Sequence, residues 1–360
     1  MVGLHGHTVG PELRSFFEEG PPAGVILFAR NIEDATQVSD LNRELRSLWP
    51  SDAPTPLIAI DQEGGRVRRL RAPATPDVSP WPPMRAVGDT TDPDLAAAVG
   101  QVMGAQLASL GFNLDFAPVL DVDSNPDNPV IGGRAFGSDP DTVATMALAF
   151  ARGLQAADVL ACGKHFPGHG DTDTDSHLTL PRLSHTRERL DTVELVPFER
   201  AVTSGDFHCM MTAHIVFEAL DATTPATLSP HVLPELLRRR MGYDGVVVTD
   251  DLEMAAIANN FEPPAIASGG AAADVDLFLV CHRLDYARAI RDAIAEWPDE
   301  RLRRSQARLE ALRSRAGDHA ARPWPGELPD QARGAEIAQQ QGWATAQDEA
   351  RKAAASNEVA

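Results

Sequence analysis

Short apolar runs alternate with longer amphipathic ones along most of the chain. Seven short runs have strand length, at residues 24–31, 56–60, 113–120, 159–163, 209–214, 245–249 and 276–282. Between them, apolar positions recur at helical spacing over 34–49, 94–110, 139–156, 186–204, 229–241, 285–297 and 299–315. Strand-length runs followed by amphipathic helices predict parallel βα units in an α/β fold. Seven strand signals are one short of an eightfold set. The pattern therefore predicts a (β/α)8 TIM-like barrel with one degenerate strand or an irregular wall.

The polar positions favour a barrel over a doubly wound sheet. Asp61, Arg134, Lys164, His165, His214, Asp250 and His282 fall at or just past the C-terminal ends of the apolar runs. In a barrel those ends meet at one mouth, whereas in an open sheet they spread along an edge. Residues 1–321 are expected to form this single domain. From Arg322 the chain turns rich in Pro, Gln and Ala, so 322–360 is expected to be a helical or partly disordered extension.

Composition narrows the function. A hydrophobic content of 43% in 360 residues is ample for a core, which excludes wholesale disorder. The net charge of -20 argues against general nucleic-acid or anionic-membrane binding. The three cysteines, Cys162, Cys209 and Cys281, sit in apolar runs and read as buried free thiols of a reducing compartment. There is no signal-peptide pattern and no apolar run of membrane-spanning length. A monomeric cytoplasmic enzyme is the expectation.

The densest chemistry lies in Lys164-His165-Phe166-Pro167-Gly168-His169-Gly170-Asp171-Thr172-Asp173-Thr174-Asp175-Ser176-His177, which follows an apolar run directly. Its His and Asp residues could hold a metal, making a metal-dependent hydrolase one reading. The spacing matches no zinc pattern, so no metal and no other cofactor is expected. Asp175 lies two residues from His177, and in extended backbone the two share a face. The carboxylate can then orient the imidazole and raise its basicity for acid–base work. Asp250 and Asp251 end a valine-rich run; one can act as a nucleophile while the other caps the following turn. Asp61 can accept from vicinal hydroxyls, and Arg69, Arg134, Lys164 and His165 can donate to a polyhydroxylated ligand.

These segments resemble glycoside hydrolase family 3 β-N-acetylglucosaminidases. The likeness rests on the Lys164–Gly170 motif and Asp175-Ser176-His177. It extends to Asp61-Gln62-Glu63-Gly64-Gly65-Arg66-Val67, Asn113-Leu114-Asp115-Phe116-Ala117-Pro118-Val119, Gly133-Arg134-Ala135-Phe136 and Thr249-Asp250-Asp251-Leu252-Glu253-Met254, in the same order. The resemblance implies a retaining mechanism with Asp250 as nucleophile, His177 as acid/base and Asp175 as its partner. It implies that Asp61, Arg69, Arg134, Lys164 and His165 bind the N-acetylglucosamine. It further implies a single-domain form acting on muropeptides or N-acetylglucosaminyl-anhydro-muramic acid without a metal. Phosphorolysis, a broader β-glycosidase activity and a non-catalytic sugar-binding barrel remain as alternatives. One departure from the family is Gly269-Gly270, which weakens the helix expected before the last strand.

Overall fold

The structure is a computed structural model that describes residues 1–173, 176, 179–322 and 324–344. Asp175 and His177 lie outside the described residues. Eight parallel strands follow one another in chain order: β1 (Val2–Gly3), β2 (Gly24–Leu27), β3 (Leu57–Ile60), β4 (Leu114–Asp115), β5 (Leu160–Phe166), β6 (Cys209–Thr212), β7 (Val246–Asp251) and β8 (Leu277–Leu279). A parallel bridge between Val2 and Val280 joins the last strand to the first, so the wall is a (β/α)8 TIM-like barrel.

The strand missing from the hydrophobic pattern is β1. It is two residues long and half glycine, so it leaves no strand-length apolar run. Gly3 suits the seam because a Cβ there would lie 2.0 Å from the Cys281 carbonyl oxygen. Its N–H donates to the Val280 carbonyl at 2.9 Å. Only a residue without a side chain lets the two backbones approach this closely.

Inside the wall, residues of β2 to β8 form one apolar cluster. It contains Ile26, Leu57, Ala59, Leu114, Leu160, Cys162, Cys209, Met211, Val246, Val248, Leu277 and Leu279. The period of two follows from the pleat, which sends successive side chains to opposite faces. The three thiols are free and buried.

The surrounding helices are α1 (Pro11–Glu18), α2 (Ala35–Arg46), α3 (Pro93–Ser109), α4 (Pro140–Gln155), α5 (Val196–Ser204), α6 (Leu233–Arg240), α7 (Pro263–Ala272), α8 (Leu284–Ala295), α9 (Asp299–Arg313) and α10 (Gln331–Gln340). Aspartates start three of them. Asp34 accepts from Gln37 N, Asp92 from Asp94 N and Leu95 N, and Asp139 from Thr142 N. Each such cap contributes about 1 kcal/mol.

Two local expectations need correction. The glycine pair does not break α7, which is regular from Pro263 to Ala272. A Cβ on Gly270 would sit 2.3 Å from Phe278 Cζ, so glycine there lets the helix lie close against β8. The second correction is a short parallel pair, Arg182–Leu183 with Val216–Phe217, which left no sequence signal. It ties the long loop after β5 to the loop after β6. Beyond the barrel, α10 packs against α3, with Ile337 and Ala338 buried.

Candidate active site

The inward alternation of the strands continues past the apolar cluster into the mouth. Two residues beyond Ala59 comes Asp61, two beyond Cys162 comes Lys164, and two beyond Val248 comes Asp250. All three line a cavity of about 400 Å³ at the C-terminal end of the barrel. Glu63, Arg66, Arg69, Arg134, His165, His169, Ser176, Asp251 and His282 line it as well. Pairing of β5 with β6 shifts between Gly163 and Phe166, and Lys164 and His165 both reach the cavity.

Five side chains form a row of alternating charge. Arg69 donates to Asp61 Oδ2 at 3.1 Å, and Lys164 Nζ donates to Asp61 Oδ1 at 2.9 Å. The same ammonium lies 2.6 Å from Glu63 Oε1. Arg134 then closes on Glu63 with two hydrogen bonds of 2.8 Å. Burial alone would push both carboxyls up. For Asp61 the charges of Lys164 and Arg69 prevail, and for Glu63 those of Arg134 and Lys164, holding both below the usual range. Burial would likewise discharge Lys164, but Asp61 and Glu63 hold its pKa above the ordinary value. The row is therefore ionised throughout, and each charge fixes its neighbour.

A second unit sits beside it. Asp121 is buried and accepts from the backbone N–H groups of His165 at 3.2 Å and His169 at 2.7 Å. Its other oxygen lies 2.6 Å from His165 Nδ1. With Nδ1 donating there, Nε2 faces the Arg134 guanidinium at 3.4 Å. In the neutral ring Nε2 is thus an acceptor, which refines the donor role suggested by the sequence.

Asp250 and Asp251 divide their roles. Asp250 accepts from the N–H of Asp251 at 2.8 Å. Burial opposes its ionisation, but the imidazoles of His165 and His214 help hold its pKa below the usual value. Asp251 instead accepts from Glu253 N at 3.1 Å and Cys281 N at 3.3 Å, which shapes the turn after β7. Burial pushes its carboxyl up to about 6. At neutral pH Asp250 is the more firmly ionised of the two.

The loop after β5 is fixed from inside by His169. Its Nδ1 lies 2.8 Å from Thr172 Oγ1 and its Nε2 3.0 Å from Ser176 Oγ. Burial pulls its pKa down to about 4, so the ring is neutral. The Ser176 carbonyl accepts from Ala256 N at 3.2 Å. Asp171 is paired with His185 Nε2 at 2.6 Å. Among the described residues, no group of three or more His, Cys, Asp or Glu side chains is arranged to hold a metal ion.

Asp61, Arg69, Arg134, Lys164, His165 and Asp250 are thus brought to one cavity. Asp175 and His177 flank Ser176 in sequence and fall on the undescribed positions. Arg66 also lines the cavity and donates to the Pro129 and Val130 carbonyls, while Arg68 donates to Gly65 O. Glu63 and Asp121 received no role from the sequence. Each stands two residues beyond another polar or apolar strand-end position, Asp61 or Val119, and that spacing is the signal that could have found them. His214 is buried and is not part of the cavity lining.

Comparison with known proteins agrees with this geometry. The family model of the glycosyl hydrolase family 3 N-terminal domain matches residues 10–312. The chain is 38% identical over 330 residues to a β-hexosaminidase of Chromobacterium violaceum, covering 90% of this chain and 88% of that one. It is 36% identical over 339 residues to β-hexosaminidase A of Pseudoalteromonas piscicida, covering 87% of this chain but 57% of that longer protein. Among solved structures, NagZ of Neisseria gonorrhoeae in complex with N-trifluoroacetyl-D-glucosamine superposes with a TM-score of 0.81 at 31% identity, covering 95% of this chain and 97% of that one. A single barrel domain with this cavity, matched over most of its length, belongs to glycosyl hydrolase family 3, among its β-N-acetylhexosaminidases.

Proposed function

We propose that the protein is a retaining exo-β-N-acetylglucosaminidase that removes terminal β-linked N-acetylglucosamine from muropeptides in the cytoplasm. The observation that carries this reading is Asp250. Its ionised carboxylate ends a barrel strand and faces the same cavity as a fixed row of hydroxyl-binding groups. Attack by Asp250 on the anomeric carbon forms a glycosyl ester while the bond to the leaving oxygen breaks. His177, oriented by Asp175, gives its proton to that oxygen. It then takes a proton from the water that attacks the ester, and Asp250 leaves as carboxylate.

Asp61, Arg69, Arg134, Lys164 and His165 hold the sugar during both steps. Asp61 keeps acceptor capacity for two hydroxyls, and Lys164 and Arg134 are held by Glu63 where they can donate. Support for the substrate class comes from the relative solved with N-trifluoroacetyl-D-glucosamine. The imidazolium is the acid form, and once it has given its proton the neutral ring adds no negative charge to the site, which leaves phosphate as an alternative acceptor.

The test is incubation with a slow 2-deoxy-2-fluoro glycoside, followed by mass mapping. Label on Asp250 is expected; label elsewhere, or none while turnover continues, refutes the mechanism. Product analysis with phosphate present distinguishes the acceptors. Free N-acetylglucosamine is expected, and sugar 1-phosphate would make the enzyme a phosphorylase.

A further inference from the structure

We infer that His214 is a positioning residue for the Asp250 carboxylate, acting through the backbone of Asp251 from outside the cavity lining. The inference rests on the nucleophile role proposed for Asp250. His214 follows β6, is buried, and does not line the cavity. Its Nε2 lies 3.1 Å from the Asp251 carbonyl oxygen, and its Nδ1 lies 2.7 Å from Thr227 Oγ1.

Donor counting fixes the arrangement. A carbonyl oxygen can only accept, so Nε2 must carry the hydrogen. Burial pulls the His214 pKa below the ordinary imidazole value, which keeps the ring neutral near pH 7. Nδ1 is then an acceptor facing the Thr227 hydroxyl, whose hydrogen it shares with the Ala213 carbonyl oxygen at 3.0 Å. Thr227 Oγ1 in turn accepts from Thr212 Oγ1 at 2.8 Å. The relay runs from the end of β6, through Thr227 and the imidazole, to the tip of β7. Thr212, Thr227 and His214 are all buried, so the relay is shielded from water.

The tip itself is a chain of short constraints. Asp251 N–H donates to the Asp250 carboxylate at 2.8 Å. Asp251 also accepts from Cys281 N through its side chain. His214 adds a hold on the carbonyl of the same residue. The Asp251 carbonyl belongs to the Asp251–Leu252 peptide and the Asp251 N–H to the Asp250–Asp251 peptide, and the two meet at the Asp251 Cα. If the hold is lost, a change of backbone torsion at Asp251 shifts the N–H that orients the Asp250 carboxylate. Misplacing a reacting atom by about 1 Å costs ~100-fold in rate.

The experiment compares His214→Phe, which keeps a ring but has no N–H, with His214→Gln, whose amide nitrogen can reach the Asp251 carbonyl. The substrate is an activated aryl N-acetylglucosaminide. For His214→Phe, kcat is expected to fall about 30- to 100-fold with KM within about twofold. The rate of trapping by the 2-fluoro sugar should fall in parallel. His214→Gln is expected to recover most of the rate. Thr227→Val, which removes the support at Nδ1, should lower kcat by a smaller factor at unchanged KM, and it serves if His214→Phe does not fold.

Folded His214→Phe with kcat within about threefold of the parent would overturn the inference. So would equal loss in the Phe and Gln variants tracking their melting temperatures, or Thr227→Val with unaltered kcat. These failures are distinct from failure of the nucleophile role, which shows only as label missing from Asp250 in the parent enzyme.

Discussion

Lys164 Nζ stands 2.6 Å from Glu63 Oε1, with both side chains almost fully buried. Glu63 is also the bidentate partner of Arg134, so one carboxylate holds two cations that line the cavity. Removing it leaves those charges buried with only Asp61 between them. Truncating one partner of a buried pair costs about 3–5 kcal/mol. Glu63→Ala is expected to lose stability of that order in urea unfolding and to weaken N-acetylglucosamine binding. Stability within about 1 kcal/mol of the parent would mean that water replaces the carboxylate without penalty.

Asp250→Ala should abolish turnover while N-acetylglucosamine still binds. The residues expected to hold the sugar are fixed by Glu63, Asp61 and Asp121, not by Asp250. Calorimetric titration beside a turnover assay checks both halves. Near-normal turnover would remove Asp250 from the nucleophile role.

His177→Ala should slow substrates with poor leaving groups far more than activated aryl glycosides. Only the former need a proton delivered to the departing oxygen. Comparing a methyl glycoside with a nitrophenyl glycoside gives the answer, and equal losses on both would count against an acid role.

His169 makes stability depend on pH in a defined direction. Its pKa is about 4 in the fold against an ordinary value of 6.5, so the unfolded chain takes up the proton first. Its contribution is fully present above pH 6.5 and is lost as the pH falls toward 4. The loss amounts to about 3 kcal/mol at most, since each pKa unit corresponds to about 1.4 kcal/mol. In urea unfolding between pH 7 and pH 4, His169→Gln should show a flatter decline than the parent. Parallel curves would show that His169 is not the group responsible.

Much of this was legible in the chain because β-structure has a period of two. Seven barrel strands carry enough apolar residues to be seen, and the same alternation carries Asp61, Lys164 and Asp250 inward. β1 escaped because its place in the seam requires a glycine and only two residues of pairing. Glu63 and Asp121 escaped for another reason. A charged residue beside a charged motif reads as solvated surface until its partners are known, and those partners, Arg134 and His165, lie far away in sequence. Gly270 misled in the opposite direction. Glycine lowers helix propensity, but contact with Phe278 outweighs that preference.

The seam between β1 and β8 also bears on how the protein is made. Val2 and Gly3 pair with β2 on one side and meet Val280 on the other. On the ribosome, β1 must wait until β8 has been made before its second edge is covered. Until then the growing wall has an open margin at each end, the kind of surface on which a nascent protein pairs wrongly or calls on a chaperone. For this enzyme the vulnerable interval is synthesis itself, and it ends only when the last strand reaches the first.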